Sequence, residues 1–499
     1  MTDYINEIFS ILATTFLIVL GLLVLIAIFL TVRDLAQTKD AIRKNYPLIG
    51  RFRDLFSTLG EFFRQYFFAM DREEMPFNRA ERDWVYGAAK DFDNTIAFGS
   101  TKSLNPTGTA IFVNCPFPTL ETDATPPQPL IIGANSPNPY QAPSFFNVSG
   151  MSFGALSGPA VTALARGAKQ ANCWMNTGEG GLSPYHEAGG CDIVFQIGTA
   201  KYGVRTDEGG IDDSKLKALA EKDQIKMFEI KLSQGAKPGK GGILPGDKVT
   251  EEIASIRGIP AGEDSISPNR HPEIGNVDQL LEFIQRVKKI TQKPVGFKTV
   301  IGSYGWLETL AKQIKTRGID YAPDFITVDS GDGGTGAAPM ALMDNVGLPI
   351  RESLPLVCDI LAKYSLRTNI KVIASGKLIN PSDVAWALAS GADFVNSARG
   401  FMLALGCIQA LKCNKNTCPT GITTHNKHLQ KGLNPTDKAV KVANYHRNMI
   451  HEVEVIAHSC GVNRPRELKR FHVRIVQNSG KSCPMNDLYP EVEPIAANQ

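Results

Sequence analysis

The chain has 499 residues, of which 43% are hydrophobic and 21% charged, and its formal net charge is +3. This composition is typical of a globular protein with a large apolar core, and the nearly neutral charge excludes an electrostatic case for binding nucleic acid. Nine cysteines, an odd number spread over a long chain, exclude a secreted disulfide framework and favour a reducing compartment. A chain of this length suits a large α/β barrel with attached segments.

The first predicted element is an uncharged apolar run over residues 8–32. Its 25 residues reach about 37 Å as a helix, enough to cross a bilayer core with some tilt. The run is too long for a signal peptide, and Asp3 and Glu7 precede it in place of lysine. By the positive-inside rule, residues 1–33 are predicted to be a single-pass anchor in the inner or plasma membrane, with the catalytic part cytoplasmic. The basic residues behind the run are Arg33, Lys39, Arg43, Lys44, Arg51 and Arg53.

Two connecting segments are predicted between this anchor and the main domain. Residues 34–95 are mixed and charged, with helical spacing interrupted at Pro47 and Pro76, which predicts a cytoplasmic helical neck. Residues 96–145 hold short β-like runs among many prolines, which predicts a β-rich segment leading into the main domain. The neck aromatics suit either the membrane surface or the catalytic body, and we expect them to pack on the body: Phe52, Phe56, Phe62, Phe63, Tyr66, Phe67 and Phe68.

From residue 146 to residue 435, short apolar runs alternate with amphipathic helical stretches. Strands that alternate with helices favour a parallel sheet, and eight repeats over about 290 residues favour a closed (β/α)8 TIM barrel over an open doubly wound sheet. Residues 436–499 are expected to form a C-terminal helix and an irregular polar tail. The eight predicted strands are 146–149, 173–176, 193–197, 227–230, 295–299, 325–328, 372–374 and 394–396.

Glycine-bearing loops follow successive predicted strands, where a barrel builds its active site. Glycine lets backbone amides approach an anion, and the last two loops of a barrel commonly bind phosphate. Gly376 and Gly400 lie in those two loops, so we expect a phosphate-bearing cofactor, with FMN the natural choice beside an iron–sulfur cluster. Lys298, in a predicted strand, would place a cation near the pyrimidine end of a flavin.

Cys407, Cys413 and Cys418 follow one another in the spacing Cys-x5-Cys-x4-Cys. Thiolates suit zinc or iron–sulfur clusters, but structural zinc sites are commonly closed by four ligands with a tight Cys-x2-4-Cys knuckle, which is absent here. The irregular spacing therefore favours a cluster with three irons wrapped by one loop. Three unrelated cysteines, buried or at the surface, are the alternative.

Seven segments of the sequence resemble those of one family, the synthase domain of glutamate synthase in its stand-alone, FMN-binding form, here with a membrane anchor. The resemblance implies a (β/α)8 barrel with FMN and a [3Fe–4S] cluster ligated by the three cysteines. Such enzymes reductively convert 2-oxoglutarate and ammonia, through 2-iminoglutarate, into L-glutamate. The matching segments are 150–157 (GMSFGALS), 178–181 (GEGG), 234–239 (QGAKPG), 244–246 (LPG), 266–268 (ISP), 333–336 (GGTG) and the cysteine loop.

The resemblance also implies roles for individual residues. Lys237 and Arg257 match the residues that bind the carboxylates of 2-oxoglutarate. Glu179 matches a glutamate near the flavin and substrate, and it is the best candidate for a proton donor. Lys298 matches the lysine on the flavin ring. The other residues expected to bind FMN are Gly150, Met151, Ser152, Ser330, Gly333, Gly334, Ser375, Gly376, Lys377, Ala398, Arg399 and Gly400.

The sequence departs from the family pattern in ways that leave the substrate and the electron donor open. Ile243 replaces a glutamine that touches the oxo acid in multidomain members, which keeps an alkylamine or another 2-oxo acid open as substrate. The amino-terminal cysteine of a glutaminase is absent, so ammonia is expected from solution or from another subunit. No separate dinucleotide-binding unit is visible, so an external donor, ferredoxin-like or membrane-associated, is expected to supply electrons. A membrane-tethered flavin and iron–sulfur electron carrier is the alternative from another class.

Overall fold

The computed structural model describes residues 2–37 and 40–495. The chain divides into two units, Met1–Glu81 and Arg82–Gln499. Lys39, one of the basic residues counted behind the predicted anchor, lies outside the described residues.

The first unit is helical. Its longest helix holds the stretch Tyr4–Ala36, whose mean hydropathy reaches 3.0 and whose most apolar window is 0% buried. Among the described residues, this is the one helix long and apolar enough to cross a membrane, a test that a signal sequence also passes. The elements of the unit are α1 (Thr2–Ala36), α2 (Ala41–Asn45), α3 (Gly50–Phe63) and a π-helical turn (Arg64–Phe68), and α4 (Arg79–Ala89) begins in it.

An ion pair ties the end of α1 to the start of α3. The carboxylate of Asp34 is 1% exposed and lies 2.6 Å from the guanidinium of Arg51. Apolar side chains of α3 and the π-helical turn are exposed, among them Phe52, Phe56 and Phe67. The predicted packing of the neck aromatics on the catalytic body stays a prediction.

The second unit contains a closed barrel of eight parallel strands, which confirms the predicted (β/α)8 fold. The strands follow one another around the ring in chain order, and the pairing of Val395 with Phe146 closes it. Its strands are β4 (Phe146–Val148), β5 (Met175–Asn176), β6 (Ile193–Ile197), β7 (Ile225–Lys231), β10 (Val295–Val300), β11 (Phe325–Asp329), β12 (Lys371–Ser375) and β13 (Phe394–Ser397).

Helices surround this barrel, and small sheets lie outside it. The strands β1 (Ala110–Phe112), β14 (Val473–Val476) and β15 (Ser482–Pro484) form one antiparallel sheet, so the segment expected to be an irregular tail contains two strands. The other short strands form two antiparallel pairs, β2 (Leu130–Ile132) with β3 (Tyr140–Ala142) and β8 (Ile243–Leu244) with β9 (Ser265–Ile266). The remaining helices are α5 (Gly158–Gln170), α6 (Pro184–Glu187), α7 (Asp213–Ala220), α8 (Glu251–Arg257), α9 (Val277–Thr291), α10 (Gly305–Arg317), α11 (Met340–Met343), α12 (Ile350–Lys363), α13 (Pro381–Ala389), α14 (Arg399–Ala404), α15 (Lys427–Gln430), α16 (Pro435–Ser459) and α17 (Met485–Leu488).

The β2–β3 pair packs against the starts of the barrel strands. Ile132 and Tyr140 share one buried apolar cluster with Trp174, Phe325 and Phe394, which lie at or just before the first residues of their strands. This packing covers the amino-terminal end of the barrel. The loops at the carboxyl ends of the strands are left to build a site.

Trp174 provides a test of this packing. Its ring is fully buried and lies 5.1 Å from that of Phe394 and 6.2 Å from that of Tyr140. We expect Trp174→Ala to lower the free energy of unfolding of the full chain in detergent by about 3–5 kcal/mol, because it leaves a cavity. Phe471→Ala removes a ring that is 57% exposed and should cost less than about 1 kcal/mol. Equal losses in urea titrations of the two variants would contradict this packing.

Candidate active site

A buried polar network lies inside the barrel around Glu229, which is 1% exposed. Asn176 and Gln196 donate to its Oε1 at 2.8 and 2.6 Å, and Thr327 donates to its Oε2 at 2.6 Å. These partners come from β5, β6 and β11, while Glu229 lies on β7. A buried carboxylate is tolerated when its oxygens are hydrogen-bonded in this way, and the network fixes four strands at the floor of the site.

Lys298 lies above this floor, as a cation held by carboxylates. Its Nζ is 3.2 Å from Oδ2 of Asp329, which also accepts a hydrogen bond from the backbone amide of Gly235 at 2.8 Å. Burial by itself would lower the pKa of Lys298, but Asp329, Glu229 and Glu179 outweigh it and raise the pKa above its usual value. The side chain is therefore a permanent positive charge at the carboxyl end of β10.

Glu179 lies on a helical turn (Gly178–Gly180) that follows β5, and cations surround it. Its Oε1 is 3.0 Å from Nζ of Lys231, the last residue of β7. Burial raises the pKa of Glu179, but Lys231, Lys237 and Arg257 together lower it to about 2. A proton donor must be protonated, so this environment speaks against the donor role expected for Glu179 and favours an acceptor of hydrogen bonds.

Two glycines make room for Glu179. A Cβ atom on Gly242 would lie 2.5 Å from Oε1 of Glu179, and one on Gly198 would lie 2.6 Å from its Cβ. Ile243 follows Gly242 directly and is half-buried in β8. The position at which the chain departs from the family pattern is therefore adjacent to the residue that contacts Glu179.

Lys237 and Arg257 bring two further buried cations to the same place. Burial lowers the pKa of Lys237 to about 8, although Glu179 opposes the shift. Arg257 donates to Oγ of Ser265 at 3.1 Å and to the carbonyl of Phe153 at 3.4 Å, while its Nε has no partner among the described residues. A buried guanidinium with donor capacity to spare is suited to an anionic ligand.

The loops after β11, β12 and β13 meet and form a cradle for an anion. Nζ of Lys377 is 2.8 Å from Oδ2 of Asp332, and Arg399 donates to the Asp332 carbonyl at 3.4 Å. Burial lowers the pKa of Arg399 to about 10, which leaves it charged at neutral pH. A Cβ on Gly334 would lie 2.7 Å from Nε of Arg399, and Gly376 has a φ of +106°. Two cations and closely approaching glycine backbone fit a phosphate.

The remaining residues expected to bind FMN differ in their surroundings. Met151 receives a hydrogen bond from His186 at 3.0 Å, in a loop after β4 that touches the turn carrying Glu179. The carbonyl of Ser375 accepts from the amide of Ser330 at 2.9 Å. A Cβ on Gly400 would lie 2.2 Å from Oη of Tyr445, so this glycine serves the packing of α16. The expected FMN contacts stay predictions at every one of the positions named in the sequence analysis, including Gly150, Ser152, Gly333 and Ala398.

The loop between α14 and α15, residues 405–426, is called the cysteine loop here, and it carries three free thiols in unlike environments. Burial raises the pKa of Cys407 to about 12 and raises that of Cys413 as well. Burial also acts to raise the pKa of Cys418, but hydrogen bonds from Thr420 and Thr423 outweigh it, and the net shift is downward.

The three thiols of this loop are the ligand type that an iron–sulfur cluster takes, and the cluster itself stays a prediction. No group of three or more His, Cys, Asp or Glu side chains in the described part of the chain could hold a single metal ion. Each thiolate of a cluster binds its own iron, so the sulfur atoms need not converge on one point. The amide of Gln409 donates to Sγ of Cys407 at 3.4 Å, and hydrogen bonds to sulfur are one means by which proteins tune clusters.

The buried Lys248 and the half-buried His425 fasten the cysteine loop to the loop after β4. Nζ of Lys248 donates to the carbonyls of Ala155 and Thr423, both at 2.9 Å, and to that of Cys413 at 3.3 Å. His425 donates through Nε2 to the carbonyl of Gly154 at 2.9 Å. The expected flavin-contact loop and the expected cluster loop are thereby held together.

Sequence reasoning missed several residues of this site. Glu229, Asn176 and Gln196 lie in strands that read as continuous apolar runs, and a charged or amide residue inside such a run is the signal that could have found them. Asp329 directly follows the predicted strand 325–328 and could have been paired with Lys298 on that ground. No sequence signal places Lys248 beside the cysteine loop.

The protein is of the TIM-barrel class, with buried cations and an anion cradle at the carboxyl end of its eight parallel strands. A family described as the conserved region in glutamate synthase matches residues 118–463. The chain is 39% identical over 496 residues to the glutamate synthase large subunit-like protein YerD of Bacillus subtilis, covering 92% of this chain and 94% of that protein. The chain therefore belongs to the glutamate synthase family, whose members are oxidoreductases acting on the CH–NH2 group.

Other similarities are more partial. The archaeal-type glutamate synthase [NADPH] of Thermotoga neapolitana is 35% identical over 321 residues, which cover 64% of this chain and 60% of that protein. The chain thus spans less than two thirds of that relative. Among solved structures, a mutant flavocytochrome b2 with benzoylformate is similar at 18% identity and a TM-score of 0.45, covering 83% of this chain and 84% of that one.

The charge state of Glu179 makes a testable prediction. Its pKa is about 2 in the folded chain against an ordinary 4.5, so its ionisation stabilises the fold above pH 4.5, and that stabilisation is lost as the pH falls toward 2. The shift corresponds to about 3 kcal/mol. We expect Glu179→Gln to unfold more easily than wild type at pH 7, with the difference vanishing between pH 4.5 and pH 2. Glu251→Gln, at an exposed position of α8, should follow wild type throughout urea titrations. A pH-independent difference for Glu179→Gln would contradict the assignment.

Proposed function

We propose that this protein is an oxidoreductase that reductively aminates 2-oxoglutarate with ammonia to L-glutamate, using FMN, a [3Fe–4S] cluster and electrons from an external donor. The reaction joins 2-oxoglutarate and ammonium, releases water to give 2-iminoglutarate, and then adds two electrons and two protons. The observation that carries this proposal is the group of buried cations, Lys231, Lys237 and Arg257, gathered around one carboxylate at the mouth of the barrel. Membership of the glutamate synthase family supports it.

The dicarboxylate substrate accounts for Lys237 and Arg257. Both are 4% exposed, and burial disfavours their charged forms. Two carboxylates brought to these side chains would supply the missing counter-charge, and arginine can grip a carboxylate with two parallel hydrogen bonds. We assign one carboxylate to each of the two side chains.

Glu179 would bind the nitrogen atom of the substrate through its N–H groups, and Lys231 would hold the Glu179 carboxylate in position. An ionised Glu179 can accept hydrogen bonds from ammonium or from an iminium N–H and hold the nitrogen near the oxo carbon. Lys231 keeps the carboxylate in place at 3.0 Å. Lys237, with a pKa of about 8, lies close enough to neutrality to give up a proton during turnover.

The two cofactors have residues suited to hold them. Lys377, Arg399 and the Gly334 and Gly376 backbone would hold the FMN phosphate, with Lys298 near the ring, and the three cysteines would hold the cluster. When bound, FMN supplies hydride to carbon and the cluster supplies single electrons. The protein's own residues bind, orient and shield the substrate.

A second candidate function changes only the amine. Ile243 is half-buried beside the glycine that contacts Glu179. An apolar side chain there offers no hydrogen bond to an oxo acid, but it suits the methyl group of an alkylamine. The alternative is therefore an N-alkylglutamate synthase that uses the same site.

The length and composition of α1 support a single-pass anchor, with the catalytic unit on the cytoplasmic side. An anchored enzyme has access to a membrane-associated reductant as well as to a ferredoxin-like protein. We propose that a separate membrane-associated or ferredoxin-like donor supplies the electrons, since α1 would bring the chain to a membrane.

The decisive experiment is an anaerobic assay of the full chain in detergent. The flavin is first reduced by dithionite, and its reoxidation is then followed with 2-oxoglutarate plus ammonium, methylamine or glutamine. We expect reoxidation with ammonium and formation of L-glutamate. Product only with methylamine would select the second candidate. Reoxidation that is indifferent to any oxo acid would indicate an electron carrier and overturn the proposal.

The phosphate cradle gives a further prediction. Gly334→Ala would place a methyl group 2.7 Å from Nε of Arg399, so we expect the variant to lose most of its FMN on gel filtration. Gly336→Ala is the matched control, because it lies in the same loop and its Cβ would meet no atom within 4 Å. FMN absorbance per chain measures the outcome. Full retention by both variants would place the phosphate elsewhere.

A further inference from the structure

Lys248 is a buried lysine that the reaction described above does not use. It ends a helical turn (Gly246–Lys248) in the long segment after β7 and is 2% exposed. Its ammonium donates to three backbone carbonyls, those of Ala155, Cys413 and Thr423. An ammonium has three N–H donors, so every donor is used. Within the described part of the chain, no carboxylate forms an ion pair with it.

Such a charge is costly to bury unless a counter-charge is near. Carbonyl oxygens satisfy the N–H groups of Lys248, but they do not cancel its net positive charge. Two of the three carbonyls belong to the cysteine loop, and the thiols of Cys413 and Cys418 are close enough to interact electrostatically with the ammonium. Three cysteine thiolates on an iron–sulfur core form a net negative group, which would supply the missing counter-charge.

The same side chain holds the geometry between the two loops. Its bond to Ala155 joins the cysteine loop to the loop after β4, next to the bond from His425 to Gly154. Arg257 donates to Phe153 in that loop. Three consecutive carbonyls of one short loop are therefore held by side chains from α8, from the cysteine loop and from the turn Gly246–Lys248. Lys248 is the member that binds directly to the backbone of an expected cluster ligand.

We propose that Lys248 is a positioning residue whose buried positive charge stabilises the reduced form of the iron–sulfur cluster and sets its reduction potential. This inference rests on the cluster of the proposed function. Reduction adds one negative charge to the cluster. A cation fixed beside it in a poorly solvated site favours that added charge far more than an exposed cation would.

Four variants of the full chain test this role. Lys248→Arg keeps the charge, Lys248→Gln keeps hydrogen-bond donors without charge, and Lys248→Met keeps neither. Lys415→Met is the matched control, because it removes a positive charge from the same loop at an exposed position where solvent screens it. Iron per chain, the electron paramagnetic resonance spectrum of the oxidised cluster and its midpoint potential are measured anaerobically in detergent.

We expect Lys248→Gln and Lys248→Met to make the cluster at least about tenfold harder to reduce at a fixed potential, a negative shift of about 59 mV or more for one electron. Lys248→Arg and Lys415→Met should stay near wild type. If the two neutral variants lose iron while Lys248→Arg keeps both the iron and the potential, the charge is required and the role stands.

Two results separate the possible failures. Wild-type protein without iron would refute the cluster itself, and with it that part of the proposed function. Wild-type protein with iron, combined with neutral variants whose potentials match that of Lys415→Met, would overturn only the role of Lys248. Loss of iron from Lys248→Arg together with the neutral variants would assign Lys248 to folding of the loop and would also overturn it.

Discussion

The site depends on a local balance of buried charge at the carboxyl end of the barrel. Lys231, Lys237 and Arg257 surround Glu179, and their combined attraction exceeds the cost of burying its carboxylate, so its pKa falls to about 2. One carboxylate does not match three cations, and the excess positive charge is what a dicarboxylate would neutralise. Burial is the main cause that lowers the pKa of Lys237 to about 8, and the charges of Lys231 and Lys240 act in the same direction. Three cations that share one carboxylate therefore favour an anionic substrate on electrostatic grounds alone.

The barrel makes this concentration of charge possible because it supplies rigid attachment for each charged group. Glu229 is held by donors from three other strands, and Lys298 is held by Asp329, so the floor beneath the cations is fixed. Above the floor, the glycine positions decide how closely the loops approach. Gly242 leaves space for the Glu179 carboxylate, and a side chain there would displace it. The amino-terminal end of the barrel is covered by the β2–β3 pair and holds a buried apolar cluster in place of charged groups.

Much of this arrangement could be predicted from the sequence, for identifiable reasons. Parallel strands buried on both faces read as apolar runs, and glycine loops after them mark the functional end, so the barrel and the positions of Glu179, Lys298 and Gly376 follow from pattern. The same continuous burial conceals Glu229, whose partners lie up to 98 positions away in the chain. The protonation state of Glu179 depends on three cations from other segments. Local sequence could not place Lys248 against Cys413 either, because 165 positions separate them.

The loop after β4 is the point at which the two expected cofactor sites meet. Its carbonyls at Phe153, Gly154 and Ala155 are bound by Arg257, His425 and Lys248, respectively. Arg257 belongs to the substrate side, while His425 and Lys248 act on the cysteine side. A shift of the cysteine loop would therefore be transmitted through adjacent peptide groups to the guanidinium that we assign to the substrate. If the cluster and the oxo acid bind as we propose, these three neighbouring hydrogen bonds would connect the two sites through one short loop.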